Sequence, residues 1–372
     1  MKILFVNNSL RGLVYFRLDV MRHLQHQGHE VVAVVPSSEK GRANIDGIRV
    51  LYVPLKRTSV NPLTDVILFS SLARVFRREK PDYAFLYTIK PNIYGTLAAR
   101  LCRVRSSMMM AGMGQTFTNN RLSSYIARAL YRLTLKVSDH LLLLNKQDVE
   151  TVKRLGLCRT DKIVYMEFGE GVSLQCYRYH DNRSDKVRFL FVGRLLKETG
   201  VMDFIEAARI VKRQLPEMGF QIAGEVDAAS SSSMTREDVE KISTSGVVEF
   251  IGHVDMVEKL KEAGLVIVVP SYYSEGLNRS LMEGCAAGKP IITTSRPGCI
   301  ETVIDGRNGY VVDAKNPEML AEAMLRYVNL TEEAKQSMSL ESRKLAESRF
   351  DVRNVFAIYD RILDNCDRYR MS

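Results

Sequence analysis

Two glutamates eight residues apart mark the stretch whose residue types and spacing point most directly to chemistry, residues 270–284. Glu275 lies in a polar turn after the apolar run 265–270, and Glu283 lies about one turn into a helix predicted to begin near residues 278–280. The amides and positive dipole end at a helix start bind anions, and a carboxylate accepts paired hydrogen bonds from vicinal hydroxyls. Gly276 allows close approach to the backbone. The stretch predicts a site for a ligand that carries phosphate and hydroxyl groups.

A simpler interpretation treats Glu275 and Glu283 as surface acids near a helix start, where the helix dipole favours negative charge. For either glutamate alone, this simpler interpretation is the better one. The complete strand–turn–helix context of residues 265–284 favours a ligand site instead.

Strands and helices alternate along the chain, which predicts parallel sheets covered by helices on both faces. In the first half, strands are predicted at residues 2–7, 30–35, 83–87 and 140–144, and helices at 16–27, 66–79, 94–102 and 123–137. The second half repeats this pattern, with strands at 187–192, 220–223, 248–251, 265–270 and 290–293, and helices at 201–214, 256–263, 279–287 and 317–327. In such doubly wound α/β domains, ligands bind at the carboxyl ends of the strands.

The length of 372 residues favours two domains. The six cysteines are scattered, which predicts reduced thiols rather than a disulfide frame or a zinc site. No apolar run reaches the roughly 18 residues that span a bilayer, and the N-terminus lacks a signal-peptide pattern. These features predict a cytoplasmic protein.

Positive charge is concentrated in one region of the first half. Of the net charge of +10, residues 56–136 carry 14 Lys and Arg against three acidic residues, a local charge of +11. Such a field attracts anionic lipid, a diphosphate or nucleic acid. A merely solvated basic surface is the simpler alternative.

The motifs of the second half resemble those of the retaining nucleotide-sugar glycosyltransferases of family 4. The resemblance rests on the E-x7-E pair Glu275 and Glu283 and continues through residues 288–294 and 297–310. It implies an α/β GT-B fold of two facing Rossmann-like, doubly wound domains. The implied organisation is an acceptor- and membrane-facing domain (1–168), a hinge (169–186), a nucleotide-sugar domain (187–350) and a helix that crosses back to the first domain (351–372).

This resemblance also implies residue roles. Glu283 would bind the donor ribose, and Glu275 would hold the donor sugar. Glu275, Arg194 and Lys197 are the implied catalytic residues. The implied donor-binding residues are Gly12, Gly193, Arg194, Lys197, Glu275, Gly276, Leu277, Asn278, Ser280 and Glu283, with the amides of Gly276, Leu277 and Asn278 on the sugar and diphosphate.

Two positions depart from the family pattern. Thr199 stands where the family usually has Lys before a glycine, and Lys197 is expected to supply that charge. Ala111 stands where many members have His, so no histidine plays that part. The form without histidine resembles a branch that acts on polyprenyl-diphosphate-linked saccharides in bacterial surface glycan assembly. There Lys90, Arg121 or Arg128 would meet the acceptor diphosphate.

The predicted helix at residues 123–137 has basic and apolar stripes. Arg128, Arg132 and Lys136 recur every four residues, while Ile126, Leu130, Leu133 and Val137 form a second stripe. A helix of this kind binds a bilayer interface, although a docked surface helix has the same pattern. With the regional charge, we expect peripheral attachment to the inner face of the cell membrane.

The family resemblance implies transfer of a hexose or N-acetylhexosamine from a nucleotide sugar, with UDP preferred, and no metal cofactor. The sequence has no D-x-D triplet, the metal–diphosphate handle of the other main transferase fold. An NAD(P) oxidoreductase is disfavoured because neither half has G-x-G-x-x-G after its first strand. A GT-B epimerase or phosphorylase remains an alternative, because fold alone does not exclude it. A nucleic-acid-binding module lacks any recognised motif and is the weakest alternative.

Overall fold

The chain forms two compact units. The computed structural model describes residues 1–41, 45, 47–57, 59, 61–112, 122–227, 230, 232–273 and 276–368. The first unit comprises Met1–Glu170 and Val352–Ser372, and the second comprises Gly171–Asp351. Residues 171–186 of the predicted hinge therefore belong to the second unit.

The first unit is built on a parallel sheet. Within the described residues its strands are β1 (Lys2–Val6), β2 (Glu30–Pro36), β3 (Arg49–Val53), β4 (Tyr83–Tyr87), β5 (Arg105–Met110), β6 (His140–Leu143) and β7 (Ile163–Tyr165). They lie in the order β3-β2-β1-β4-β5-β6-β7. The central strands are apolar on both faces because helices cover both sides of the sheet.

Five helices connect the described strands of the first unit: α1 (Leu10–His26), α2 (Pro62–Glu79), α3 (Thr96–Leu101), α4 (Leu122–Val137) and α5 (Lys146–Arg154). A π-helical turn, Pro91–Gly95, leads directly into α3. On one side of the sheet, α2 packs against α3, and α3 packs against α4. These three helices therefore form a continuous layer.

The second unit repeats the design with a second parallel sheet. Its described strands are β8 (Arg188–Val192), β9 (Gly219–Ala223), β10 (Glu249–Gly252), β11 (Leu265–Val269), β12 (Ile291–Thr294) and β13 (Gly309–Val312), in the order β10-β9-β8-β11-β12-β13. Its helices are α6 (Val201–Gln214), α7 (Arg236–Thr244), α8 (Met256–Lys259), α9 (Arg279–Ala286), α10 (Pro317–Val328) and α11 (Glu332–Leu345). The prediction of an α/β protein with two doubly wound sheets is confirmed.

The last helix, α12 (Val352–Arg368), belongs to the first unit. It packs against α1, where His23 Nε2 lies 3.0 Å from Asp360 and the His23 ring stacks on Phe356. The hydroxyl of Tyr359 lies 2.9 Å from that of Tyr87 in β4. The C-terminal helix thus completes the core of the unit that contains the N-terminus.

Some predicted boundaries were wrong. Helix α1 begins at Leu10 rather than Phe16, because the Ser9 side chain caps it by accepting a hydrogen bond from the Gly12 amide at 3.2 Å. Gly12, an implied donor-binding residue, therefore lies in the first turn of this helix. The strands β3, β5, β7 and β13 and the helices α5, α7 and α11 were not predicted. No helix among the described residues is both long and apolar enough to span a membrane.

Candidate active site

The predicted site residues of the second unit gather where the strand order reverses. Strands β8 and β11 are parallel neighbours with Phe191 opposite Val268, so the loops that follow them leave the same edge of the sheet. The first loop carries Gly193–Lys197, and the second carries the described residues 270–273 and 276–278 of the other motif. Ligands of doubly wound sheets bind at this switch point.

The two loops are fastened to each other. The Tyr272 amide donates to the Glu198 carbonyl at 2.9 Å. Gly200 has a φ of +77°, and a Cβ added there would lie 2.2 Å from the Pro270 carbonyl oxygen. Only glycine fits this left-handed position without displacing the second loop. The start of α6 is therefore locked against the carboxyl end of β11.

Helix α9 begins at the end of the second loop. The Asn278 side chain caps it by accepting a hydrogen bond from the Leu281 amide at 3.1 Å. The Asn278 amide donates to the Gly298 carbonyl at 2.8 Å, so it is already paired within the protein, and its role at the diphosphate stays a prediction. Leu277 is a buried core residue and Gly276 is also buried, while Ser280 lies half-buried in the first turn.

Glu283 is the most enclosed of the predicted polar site residues that the structure describes. Its side chain is fully buried, and its Oε1 accepts hydrogen bonds from the Tyr177 hydroxyl and from Arg279 Nε, both at 2.9 Å. Arg279 Nη1 also donates to the Gly171 carbonyl at 2.5 Å. Burial, followed by the Glu283 charge, raises the pKa of Tyr177 far above its ordinary value. Tyr177 is thus a hydrogen-bond donor at every physiological pH.

Arg194 and Lys197, the predicted diphosphate ligands, are both exposed on the loop after β8. Arg194 Nη1 lies 3.8 Å from Asp227 Oδ2, an open ion pair that leaves 48% of the arginine side chain accessible. Exposed pairs of this kind contribute little to stability. Both cations are therefore available to an anion at the edge of the sheet.

Thr199 performs a structural task at the position where the family pattern has Lys. It is buried, and its hydroxyl lies 2.8 Å from the Arg194 carbonyl and 2.7 Å from the Leu196 carbonyl. These contacts hold the backbone of residues 194–199 in a turn, from which Arg194 and Lys197 extend to the surface. The role of Lys197 as a substitute cation remains a prediction.

Ser232 and Met234 hold this basic loop by backbone hydrogen bonds. The Lys197 amide donates to the Ser232 carbonyl at 3.0 Å, and the Met234 amide donates to the Leu195 carbonyl at 2.8 Å. Gly224 crosses Gly193 so closely that an added Cβ would lie 2.0 Å from the Gly193 carbonyl oxygen. The loop is therefore held in one shape by backbone contacts.

Two helices point their N-termini toward the site. Helices α6 and α9 begin just beyond the carboxyl ends of the neighbouring strands β8 and β11. Each helix start carries about half a positive charge, to which Arg194 and Lys197 add two full charges. The edge of the sheet is thus suited to a diphosphate.

The predicted site residues of the first unit differ from one another in their contacts. Gly12 lies in the first turn of α1, where an added Cβ would make only ordinary contacts. Lys90 Nζ donates to Asp65 Oδ1 at 2.7 Å in a pair that is mostly buried. Arg128 stacks 4.4 Å above the Tyr125 ring. Glu275 and Arg121 lie outside the described residues.

Sequence reasoning missed Tyr177 and Arg279. The i, i+4 spacing of Arg279 and Glu283 was a readable sign of a helical ion pair. Tyr177 carried no such signal, because 106 positions separate it from Glu283. Within the described residues, no group of three His, Cys, Asp or Glu side chains could hold a metal ion.

Comparisons with known proteins give a consistent result. Residues 178–344 match the family model of glycosyl transferases group 1, and residues 11–169 match that of the glycosyl transferase 4-like domain. The chain is 25% identical to the N,N'-diacetylbacillosaminyl-diphospho-undecaprenol alpha-1,3-N-acetylgalactosaminyltransferase of Campylobacter jejuni, with 98% of this chain and 100% of the relative covered.

Two further comparisons extend this result. The chain is 22% identical to the UDP-Gal:alpha-D-GlcNAc-diphosphoundecaprenol alpha-1,3-galactosyltransferase of Escherichia coli, with 76% and 75% of the two chains covered. Its structure is similar to that of Anabaena Alr3699/HepE in complex with UDP-glucose, with a TM-score of 0.80, 16% identity and coverage of 98% and 100%.

Proposed function

Since this chain belongs to the glycosyltransferases, with the group 1 and 4-like families matching successive parts of it, we propose the following reaction. A hexose or N-acetylhexosamine passes from a nucleotide sugar, preferably a UDP-sugar, to a polyprenyl-diphosphate-linked saccharide, with retention at the anomeric carbon. The single observation that carries this proposal is the buried Glu283 carboxylate, which two donors hold and which lies in α9, the helix that follows β11 at the sheet edge where the loop after β8 displays two exposed cations.

The donor binds through complementary groups at the edge of the second sheet. Glu283 accepts the ribose hydroxyls, because a carboxylate pairs with vicinal hydroxyl donors. Arg194, Lys197 and the starts of α6 and α9 hold the diphosphate by charge-assisted hydrogen bonds. Gly276 admits the donor close to the backbone, and Glu275 orients the transferred sugar.

In the transfer step, the C1–oxygen bond to the diphosphate breaks and a new bond forms between C1 and the acceptor hydroxyl oxygen. The acceptor attacks from the face that the diphosphate leaves, through an oxocarbenium-like state. The acceptor proton passes to an oxygen of the leaving phosphate. Stabilisation of that leaving group by Arg194, Lys197 and the helix starts is the main contribution of the protein.

These cations perform the task that a divalent metal performs in other transferases, so we expect transfer without an added metal. Purified enzyme treated with EDTA should retain its initial rate. Loss of activity on chelation, restored by Mg²⁺ or Mn²⁺, would contradict this part of the proposal.

The proposed acceptor follows from the relatives. The names of the Campylobacter jejuni and Escherichia coli enzymes describe diphospho-undecaprenol acceptors. In this chain, Lys90, Arg121 and Arg128 are the proposed partners of the acceptor diphosphate. Lys90 must exchange its contact with Asp65 for the ligand, whereas Arg128 is half-buried and stacks on the Tyr125 ring.

Exposed apolar residues on α2 and on α4 support membrane contact. Leu63, Val66 and Ile67 of α2, and Tyr125, Ile126 and Leu133 of α4, leave half or more of their surface exposed. Arg132 and Lys136 lie exposed beside the apolar residues of α4. Exposed apolar side chains next to basic ones suit a bilayer of anionic lipids. We therefore propose peripheral attachment at the inner face of the cell membrane, where a polyprenyl-linked acceptor is presented.

The experiment that tests the proposal is transfer of radiolabel from a panel of UDP- and GDP-sugars to lipid-linked saccharides. We expect labelled lipid product from a UDP-hexose or UDP-N-acetylhexosamine, and none when the acceptor lacks its diphosphate. Conversion of the donor to an epimer without an acceptor would overturn the proposal in favour of the epimerase alternative.

A further inference from the structure

The segment that begins the second unit runs along helix α9. We call residues 171–180 the boundary segment, because Gly171 is the first residue after the boundary between the units. The Val172 amide donates to the Phe350 carbonyl at 2.7 Å, so this segment lies beside the residues with which the second unit ends. Its contacts to α9 involve both backbone and side-chain groups.

Three direct hydrogen bonds, and a bridge through Arg343 of α11, join the boundary segment to α9 and its C-terminal end. Arg279 Nη1 donates to the Gly171 carbonyl at 2.5 Å, and the Tyr177 hydroxyl donates to Glu283 Oε1 at 2.9 Å. Arg343 Nη1 donates both to the Tyr177 carbonyl at 2.9 Å and to the Ala286 carbonyl at 2.7 Å. The His180 amide donates to the Ala287 carbonyl at 3.3 Å. The segment is therefore fastened along the whole helix.

Two of these contacts reach the carboxylate that the proposed donor requires. Arg279 Nε and the Tyr177 hydroxyl donate to the same oxygen, Oε1, of Glu283. Arg279 is 10% exposed and Glu283 is fully buried, so solvent does not weaken the pair as it does at a surface. Two donors on one oxygen fix the rotation of the carboxylate, which a single contact would leave adjustable.

Arg279 links the two ends of this arrangement. One nitrogen of its guanidinium holds Glu283 and another holds the Gly171 carbonyl, so a single rigid, planar group spans the carboxylate and the first residue of the unit. Lysine has one nitrogen on a flexible stem and lacks the rigid fork that holds both positions. The linkage therefore depends on arginine rather than on positive charge alone.

From this geometry we infer that Tyr177 and Arg279 are positioning residues of the donor site. They orient Glu283 for the nucleotide ribose and couple ribose binding to the order of the boundary segment. This inference rests on the proposed role of Glu283. It predicts that UDP binding protects the boundary segment, and that weakening either donor raises the donor KM.

The test compares Tyr177→Phe and Arg279→Lys with wild type and with Tyr327→Phe. Tyr327 is a matched control, because it is another buried tyrosine of the same unit and lies in a different core cluster from Tyr177. Each positioning variant should raise the donor KM about tenfold, as expected for the loss of one hydrogen bond to a charged group, with kcat changed less than about twofold. The control should leave both constants unchanged, even if its melting temperature falls.

Hydrogen exchange distinguishes a positioning role of Tyr177 and Arg279 from a role in stability alone, because only a positioning role makes the protection of residues 171–180 depend on UDP. Saturating UDP should slow amide exchange in residues 171–180 of wild type, and this protection should be lost in Tyr177→Phe at equal UDP occupancy. Wild-type donor KM and wild-type protection in both positioning variants would overturn the inference.

Failure of the inference is distinguishable from failure of the proposed function. If Glu283→Gln loses UDP binding while both positioning variants bind as wild type does, only the inference fails. If wild type does not bind UDP or any other nucleotide of the panel, the proposed donor site itself fails.

Discussion

Glu283 is buried so completely that the choice of substitution decides what an experiment reports. Replacement by alanine would remove the acceptor of Arg279, which is 10% exposed, and of the Tyr177 hydroxyl. Breaking a buried pair on one side costs about 3–5 kcal/mol of stability. Glutamine keeps the shape and an acceptor oxygen while it removes the charge. Glu283→Gln is therefore the better probe of the site.

Gly200→Ala should destabilise the protein by about 3 kcal/mol. The cost combines a left-handed backbone at φ +77° with a Cβ placed 2.2 Å from the Pro270 carbonyl oxygen. Gly246→Ala is the matched control, because Gly246 has a φ of +67° but no atom within 4 Å of an added Cβ. Chemical denaturation measures both variants, and equal losses would contradict the proposed contact between the two site loops.

Lys289 should make stability depend on pH in the alkaline range. Burial lowers the pKa of Lys289 to about 8, while the unfolded chain keeps a value near 10.4. At pH between these two values the unfolded chain binds more protons, so the free energy of unfolding rises with pH, by about 3 kcal/mol. Denaturation of wild type and Lys289→Met from pH 7.5 to 10.5 checks this. A difference between the two that stays constant with pH would refute it.

Single residues were predictable from the sequence to different degrees. Glu283, Arg194 and Lys197 could be named because their motifs follow recognisable strands. Tyr177 could not, because only folding brings it to Glu283. The burial of Thr199 was equally hidden, since a threonine in a loop gives no sign of whether its hydroxyl bonds solvent or backbone.

Helix α4 has three faces where the sequence suggested two. Its buried face comprises Tyr131, Thr134 and Leu135, while Ile126, Leu133 and Val137 of the predicted apolar stripe are exposed and Leu130 is half-buried. The basic residues form the third face. Periodicity identifies apolar stripes, but it does not determine which of two stripes packs on the sheet.

The exposed stripe should govern binding to anionic vesicles. Ile126→Ser combined with Leu133→Ser should weaken cosedimentation with phosphatidylglycerol vesicles severalfold, because apolar burial in the interface is lost. Arg132→Glu should weaken vesicle binding to a comparable extent. High salt should diminish the difference in binding between this variant and wild type. Leu340→Ser, which alters an exposed leucine of α11 in the second unit, is the matched control. Equal binding by all variants would exclude this surface as the attachment site.

The elements themselves were predicted best where they are long or strongly apolar. Strand β4 and helix α6 match their predicted bounds. The strands β3, β7 and β13 have five residues or fewer and carry weak alternation, so local pattern did not distinguish them from loops. Helix α1 starts early because Ser9 supplies a cap that the apolar pattern alone does not show.

Across the whole molecule, the alternation of strands and helices predicted two parallel sheets. The structure adds which of the two units the last helix joins. Helix α12 returns to the first unit and buries Val355, Tyr359, Ile362 and Leu363 in its core. The family resemblance implied this return. The sequence rhythm did not, because a helix pattern does not state which sheet it covers.

Removal of the residues after Asp351 should unfold the first unit and spare the second. Each buried apolar side chain of α12 contributes about 1.5–3 kcal/mol, and together they match the stability of a typical domain. Hydrogen exchange of the truncated chain should show loss of protection in β1 and α1 and retention in β8 and β11. Full protection of β1 would contradict the assignment of α12 to that core.

The most direct test of the proposed donor site is the steady-state rate of sugar transfer to a polyprenyl-diphosphate-linked saccharide by wild type, Glu283→Gln and Arg194→Ala. We expect both variants to stay folded and to lower kcat/KM for the nucleotide sugar by about a hundredfold or more, because each removes charge-dependent contacts to the donor. Unchanged turnover in either folded variant would contradict the donor site at the edge of the second sheet.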